Sequence, residues 1–253
     1  MKNIIGFTTL FVLTLSLLIL FSNKNPKVLS VSKVVPIASS SKLSFVDEYN
    51  TKINLIKTFS SNIQTEQAGI GYSAKLAYDK NDLKFRFLAD SRFGREMDIG
   101  TNSNLFWFWS KRFSSALYYD SKDKIKDCNL KPQFNPNFLI KILGLEPIKN
   151  NIVTDQGMLS YEEIDRMVYI CIIKNNLPAR HYLYNNNKVI AYAEVIEYQQ
   201  VENFIVPKKM KLIIPDENVS IDWTFADTEI NKDMKDQDWS LPKNKQKVEI
   251  TRS

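Results

Sequence analysis

GREMDIGTNSNLFWFWSKRFSSALYY, residues Gly94 to Tyr119, is the stretch whose reading decides the fold. It carries two of the four Trp, set between a Gly100-Thr101-Asn102-Ser103-Asn104 turn and a basic Lys111-Arg112 step. From Leu105 to Trp109 both parities are bulky and apolar. Successive side chains of a strand point to opposite faces, so this strand must be covered on both, which a water-washed sheet does on only one. Core lies on one side; on the other lies a helix, a ligand or a partner. Either it is a central strand in an ordinary core, or it walls an apolar binding cavity.

Working outward, the flanking sequence has the period of strands. Ile70, Tyr72, Ala74, Leu76 and Tyr78 alternate with smaller or polar residues, Asn81-Asp82 turns the chain, and Leu83, Phe85 and Phe87 follow opposite Lys84 and Arg86. Met97 and Ile99 make a shorter strand, and Ala116 to Tyr119 another. Ahead of this meander, Tyr49, Ile53, Ile56, Phe59 and Ile63 recur at helical spacing, which predicts an amphipathic helix over Ser44 to Ile63. Ser44 can cap it, and Asp47-Glu48 in its first turn suit the positive end of the dipole.

Further along, Asn135-Pro136 predicts the start of a short helix with Phe138, Leu139, Ile142 and Leu143 on its inner side and Gly144 as its stop. Strand patterns resume at Met158 to Tyr161, Met167 to Ile173, Arg180 to Tyr184 and Lys188 to Tyr198, the last two flanking an Asn185-Asn186-Asn187 hairpin loop. Pro207 to Ile214 and Val219 to Ile230 form a final hairpin about Pro215-Asp216-Glu217-Asn218. The count is ten or eleven strands, with no strand-helix-strand repeat. The class is therefore mainly β with α.

The ends read differently. Ile4 to Phe21 is uncharged and mostly apolar behind Met1-Lys2-Asn3, so residues 1–22 read as a signal peptide or an N-terminal membrane anchor. Residues 23–42, rich in Ser, Lys, Val and Pro, read as a tether to a domain at 43–242. The tail 243–253 is either frayed or a short edge strand.

Composition narrows the chemistry. The 34 Lys+Arg and 28 Asp+Glu give +6, but the basic residues are dispersed, which argues against nucleic acid and leaves attraction to an anionic membrane surface. Seven Gly are few for phosphate-cradling loops. Cys128 and Cys171 fit one disulfide or two buried thiols equally well, and no ligand spacing for a metal is present. His181 is the one histidine; beside Arg180 and polar neighbours it reads as a surface imidazole, so no catalytic triad is expected. No cofactor and no enzymatic activity are expected.

What stands out is apolar excess in long strands, with two helices that each have an apolar side. A sheet of this size that curls nearly closed encloses a cavity, and aromatic and aliphatic walls make it a hydrocarbon binder. The expected domain is hollow. The competing expectation is a barrel filled by its own side chains, serving as a membrane-tethered sensor or protein-interaction domain.

The succession resembles the LolA-like superfamily of outer-membrane lipoprotein-sorting carriers. The matching features are the helix Val46 to Ile63, the strand Gly69-Ile70-Gly71-Tyr72-Ser73-Ala74, the Gly100 to Trp109 hairpin, Phe87-Leu88-Ala89-Asp90, and the closing hairpin from Pro207-Lys208-Lys209-Met210 to Ile230-Asn231. The resemblance implies an incomplete antiparallel barrel of about eleven strands, closed by helices acting as a lid, in the bacterial cell envelope, either periplasmic or anchored to the inner membrane and facing the periplasm. It implies partners: lipid or lipoprotein acyl chains, the membrane through the N-terminal segment, and an envelope protein. Tyr49, Ile53 and Ile56 would form the lid, with Phe138 and Ile142 on its second segment. Tyr72, Phe85, Phe87, Trp107, Trp109, Trp223 and Phe225 would line the wall. Where the family ties its lid with an Arg after the second strand, the turn here offers Lys80.

Overall fold

The computed structural model describes residues 40–67, 70–111, 117–122, 131, 135–149, 151–154, 157–164, 167–243 and 247–249. The apolar run at 4–21, most of the tether and Cys128 lie outside these residues. Among the described residues no helix is long and apolar enough to cross a membrane.

Helix α1 (Ser40–Asn54) leads into a meander of β1 (Thr58–Gln67), β2 (Ile70–Asp79), β3 (Lys84–Ser91), β4 (Gly94–Thr101), β5 (Leu105–Ser110) and β6 (Leu117–Ser121). Helix α2 (Pro136–Ile142) follows. A second meander then runs through β7 (Asn151–Thr154), β8 (Gly157–Ile164), β9 (Met167–Lys174), β10 (Leu177–Asn185), β11 (Lys188–Val201), β12 (Phe204–Ile214) and β13 (Val219–Ile230), before β14 (Lys247–Glu249). All fourteen described strands belong to one sheet, ordered β14-β6-β5-β4-β3-β2-β1-β13-β12-β11-β10-β9-β8-β7. Each meander pairs sequential neighbours, and the two meet at one seam where β1 lies antiparallel to β13, with Phe59 opposite Ile230 and Ile63 opposite Phe225. The sheet is open: β14 lies parallel to β6 at one margin, and β7 stands at the other.

The predicted first helix is corrected at both ends. It begins before Ser44 and stops at Asn54, and Thr58–Gln67 is a strand. Phe59 and Ile63 are four apart, a spacing that a helix and a two-residue repeat share. In the strand Phe59, Ser61 and Ile63 are buried while Asn62 and Gln64 are exposed. The strand count exceeds the expected ten or eleven because β1 was read as helix and because β7 and β14 are too short to carry a period.

One face of the sheet forms the main core with both helices. Val46, Tyr49, Ile53 and Ile56 from α1 and just beyond it, and Phe138, Leu139, Ile142 and Leu143 from α2 and its C-cap, pack onto Phe59, Ile63, Leu76, Tyr78, Phe85, Phe87, Ile99, Met210, Leu212, Trp223 and Phe225. The rings of Phe87 on β3 and Trp223 on β13 lie 5.8 Å apart although β2 and β1 run between their strands. Adjacent strands are spaced ~4.8 Å apart, so the rings converge only because the sheet curls toward this face. Asn135 caps α2, its side chain accepting from the backbone N–H of Asn137 and Phe138.

The other face explains the doubly apolar strand. Phe108 packs against the main core, whereas Trp107 and Trp109 form a separate cluster with Leu117, joined by Tyr119 and Leu241. Trp107 Nε1 donates to Asp98 Oδ1 at 3.0 Å, and Arg86, stacked 5.7 Å from the Trp107 ring, donates to Asp98 at 2.9 Å. Arg86 also donates to the Asp238 carbonyl, and Asn102 to that of Trp239. The segment after β13 thus straps the outer face.

Candidate functional site

The site is the region where α1 lies on the concave face. Its helix is held by few polar contacts. Tyr49 donates to the Gly144 carbonyl at 3.2 Å, and the Asn50 amide both donates to the Ile148 carbonyl at 2.8 Å and accepts from its N–H at 2.7 Å. Lys80 donates to the Ile53 carbonyl at 3.2 Å, at the negative end of the helix. Lys80, in the turn after β2, therefore meets α1 at its C-terminus. Burial lowers its pKa from the ordinary lysine value, with Glu146 pulling the other way.

Among the described residues, several spaces adjoin Tyr49. The largest is an open groove of about 250 Å³ between α1 and two hairpin tips, lined by Phe45, Tyr49, Ile53, Leu177, Phe204 and Ile205, with Glu48 and Lys52 at its rim. Tyr49, Ile53 and Phe204 also belong to the main core, so the groove floor is continuous with it. Ile205 is 48% exposed at the mouth. Two small spaces of about 10 Å³ each are both bordered by Tyr49, Gly144, Pro178 and His181.

His181 is 1% exposed, a correction to its reading as a surface imidazole. Strand alternation explains this: Arg180 and Tyr182 are only partly covered, and His181 turns inward with buried Leu183. Its Nδ1 is 2.6 Å from the Tyr169 hydroxyl. Burial lowers the His181 pKa to about 3 and pushes the Cys171 thiol up to about 12. Cys171 is free and stands directly across from His181 on the neighbouring strand. Those directions keep both groups neutral, so no thiolate–imidazolium pair is formed for nucleophilic chemistry. Lys141 of α2 is buried between Glu146 and Glu162, at 2.6 Å from each. Burial would raise the Glu162 pKa, but hydrogen bonds and charge from Lys141 and Lys149 outweigh it and hold the carboxyl below its ordinary value. Among the described residues no cluster of His, Cys, Asp and Glu is suited to a metal ion.

The expected wall residues divide. Phe85, Phe87, Trp223 and Phe225 are buried in the main core beneath the helices, with Trp223 edge-on to Phe225 at 6.2 Å. Tyr72 is partly exposed and shares the face of Ala74, Leu76 and Tyr78. Trp107 and Trp109 lie in the cluster on the far side of the sheet, away from α1. Tyr49, Ile53, Ile56, Phe138 and Ile142, the expected lid residues, are all in the main core. The expected hollow is not present between Phe87 and Trp223, whose rings meet. His181, Tyr169 and the tips Leu177, Phe204 and Ile205 were not singled out as site residues; the alternation of His181 with Leu183 was the available signal for its burial.

No protein-family model matches the chain, and no curated protein matches it. Solved structures do. A domain described as an outer-membrane lipoprotein-sorting protein, from Vibrio parahaemolyticus, aligns at a TM-score of 0.53 and 9% identity, over 79% of this chain and 97% of its own. A DUF1329 family protein from Desulfovibrio piger aligns at a TM-score of 0.50 and 8% identity, over 78% of this chain and 94% of its own. A LolA superfamily protein from Nitrosomonas europaea aligns at a TM-score of 0.49 and 10% identity, over 81% and 99%. At such identities the likeness is one of fold. The chain shares the fold of the lipoprotein-sorting domain and of the DUF1329 protein, here an open antiparallel half-barrel with two helices on its concave face.

Proposed function

We propose that the protein is a non-enzymatic carrier of acyl chains, from lipid or lipoprotein, in the bacterial cell envelope, with α1 as the lid. The groove carries this reading: its lining surface is mostly apolar, with Asn175, Asn176 and Asn203 beside the apolar residues, it opens at the edge of the lid helix, and its floor belongs to the core. Its volume of about 250 Å³ falls just short of the ~300–1,000 Å³ of small-molecule sites, so in this reading a chain enters by lifting α1. Each buried CH₂ contributes ~0.8 kcal/mol, so ten of them give roughly 8 kcal/mol against the costs of opening and association. Phe87 and Trp223 then part to admit the chain. The N-terminal apolar segment would hold the domain at the membrane. Native mass spectrometry of protein purified from the envelope is expected to show bound lipid, and Trp emission to shift when acyl chains are added after delipidation. Emission and thermal midpoint unmoved by every acyl ligand would defeat the reading.

A second reading is favoured by the contact of Phe87 with Trp223: a filled half-barrel acting as a membrane-tethered sensor or protein-interaction domain. It predicts no lipid and a stable protein partner in pull-down from envelope extracts.

A further inference from the structure

A buried imidazole with one nitrogen unengaged is costly unless something comes to it. His181 Nε2 is buried and has no hydrogen-bond partner among the described residues, while Nδ1 is held by Tyr169 at 2.6 Å. The tautomer follows from acceptor strength. An imidazole nitrogen is a better acceptor than a phenolic oxygen, so Tyr169 O–H donates to Nδ1 and the ring hydrogen sits on Nε2. Nε2–H is then a buried donor still to be satisfied.

Its surroundings select what it can meet. His181 borders both small cavities beneath α1, and each is bordered by Tyr49, which also lines the groove. Ile205 belongs to the groove and to one of the cavities, so the recess and the groove share a wall. The cations that line the first of these cavities, Lys141 and Lys149, are already committed to Glu146 and Glu162. A carboxylate would therefore enter without a counter-charge, whereas a neutral carbonyl would gain a donor and lose little.

We propose that His181, oriented by Tyr169, is a polar recess that binds the carbonyl oxygen of an ester- or amide-linked acyl chain, whose hydrocarbon runs beneath α1 to the groove. This rests on the acyl-chain reading above and refines it: the ligand class is a neutral acyl carbonyl, not a free fatty acid or a bare hydrocarbon.

The one histidine makes the test direct, because ¹⁵N-histidine labelling of the full chain reports a single imidazole. In delipidated protein at neutral pH the Nε2–H tautomer is expected. Methyl palmitate should shift the Nε2 and its proton and bind about tenfold tighter than hexadecane or palmitate, the scale of one good hydrogen bond. His181→Phe should bind methyl palmitate and hexadecane alike, and His181→Gln, which keeps a donor, should recover part of the difference. An Nδ1–H tautomer overturns the assignment. So does methyl palmitate binding with unmoved ring resonances or no preference over hexadecane: the recess would then hold only water, and the carrier reading would survive. Failure of all three probes to bind would remove carrier and recess together.

Discussion

Gly100 has no room for a side chain. A Cβ there would fall 2.1 Å from the Trp107 ring, so Gly100→Ala must push the indole off the sheet and disturb its hydrogen bond to Asp98. Overpacking of this kind costs about 1–3 kcal/mol, and chemical denaturation should show a loss in that range with the denaturant slope unchanged. An unaltered midpoint would mean that the indole is free to move. His181 gives a second test at this scale. Its folded pKa of about 3 lies below the ordinary value of 6.5, so the folded state disfavours the proton that the unfolded chain binds readily. The resulting stability is complete above pH 6.5 and is lost as pH falls toward 3, by up to about 1.4 kcal/mol per pH step. Between pH 7 and pH 5 the protein should lose about 2 kcal/mol more than its His181→Gln variant; parallel curves would refute the buried neutral imidazole.

At the scale of the element, α1 is a helix fixed to the sheet by an apolar stripe and a few polar ties, which is what a lid requires. Asn50→Ala removes the paired hydrogen bonds to Ile148 and leaves both backbone groups to find water, a cost of about 1–3 kcal/mol borne locally. Amide exchange should accelerate across α1 while β1, β2 and β13 keep their protection; acceleration everywhere would mean that α1 is not a separable lid. The stripe Tyr49, Ile53, Ile56 was legible in the sequence because its three-residue step, unlike a four-residue one, does not fit a two-residue repeat. Its continuation through Phe59 and Ile63 was not, since that pair fits a strand equally well. The aromatic run at Leu105 to Trp109 announced that both its faces were covered. What covers the outer one, the strap at Asp238 to Leu241, is far away in sequence and leaves no local trace. The resemblance put Trp107 and Trp109 on the wall, and with no local sign of the strap nothing in their own stretch chose between the two faces.

At the scale of the molecule, the half-barrel and its hairpin order were readable, because alternation and turn residues are local signals. The closeness of Phe87 to Trp223 was not, since it depends on how far the sheet curls. Within each meander every strand finds its partner next along the chain, so those ladders close small loops; apart from the three-residue β14 on β6, the long-range pairing is that of β1, which must wait for β13, the last long strand to be made. Closing so large a loop brings a conformational-entropy penalty that local hairpins avoid. Joining the two half-sheets should therefore come late in refolding, after its rate-limiting step. Ile63→Val, opposite Phe225, is expected to hasten unfolding and scarcely slow refolding in stopped-flow experiments, whereas Leu183→Ala within the second meander should retard refolding. Slowed refolding of Ile63→Val would place the joint early instead. Until the joint closes, a nascent chain carries two unfinished half-sheets whose facing margins are open to the wrong strand, and any chaperone of this protein would be needed during that interval.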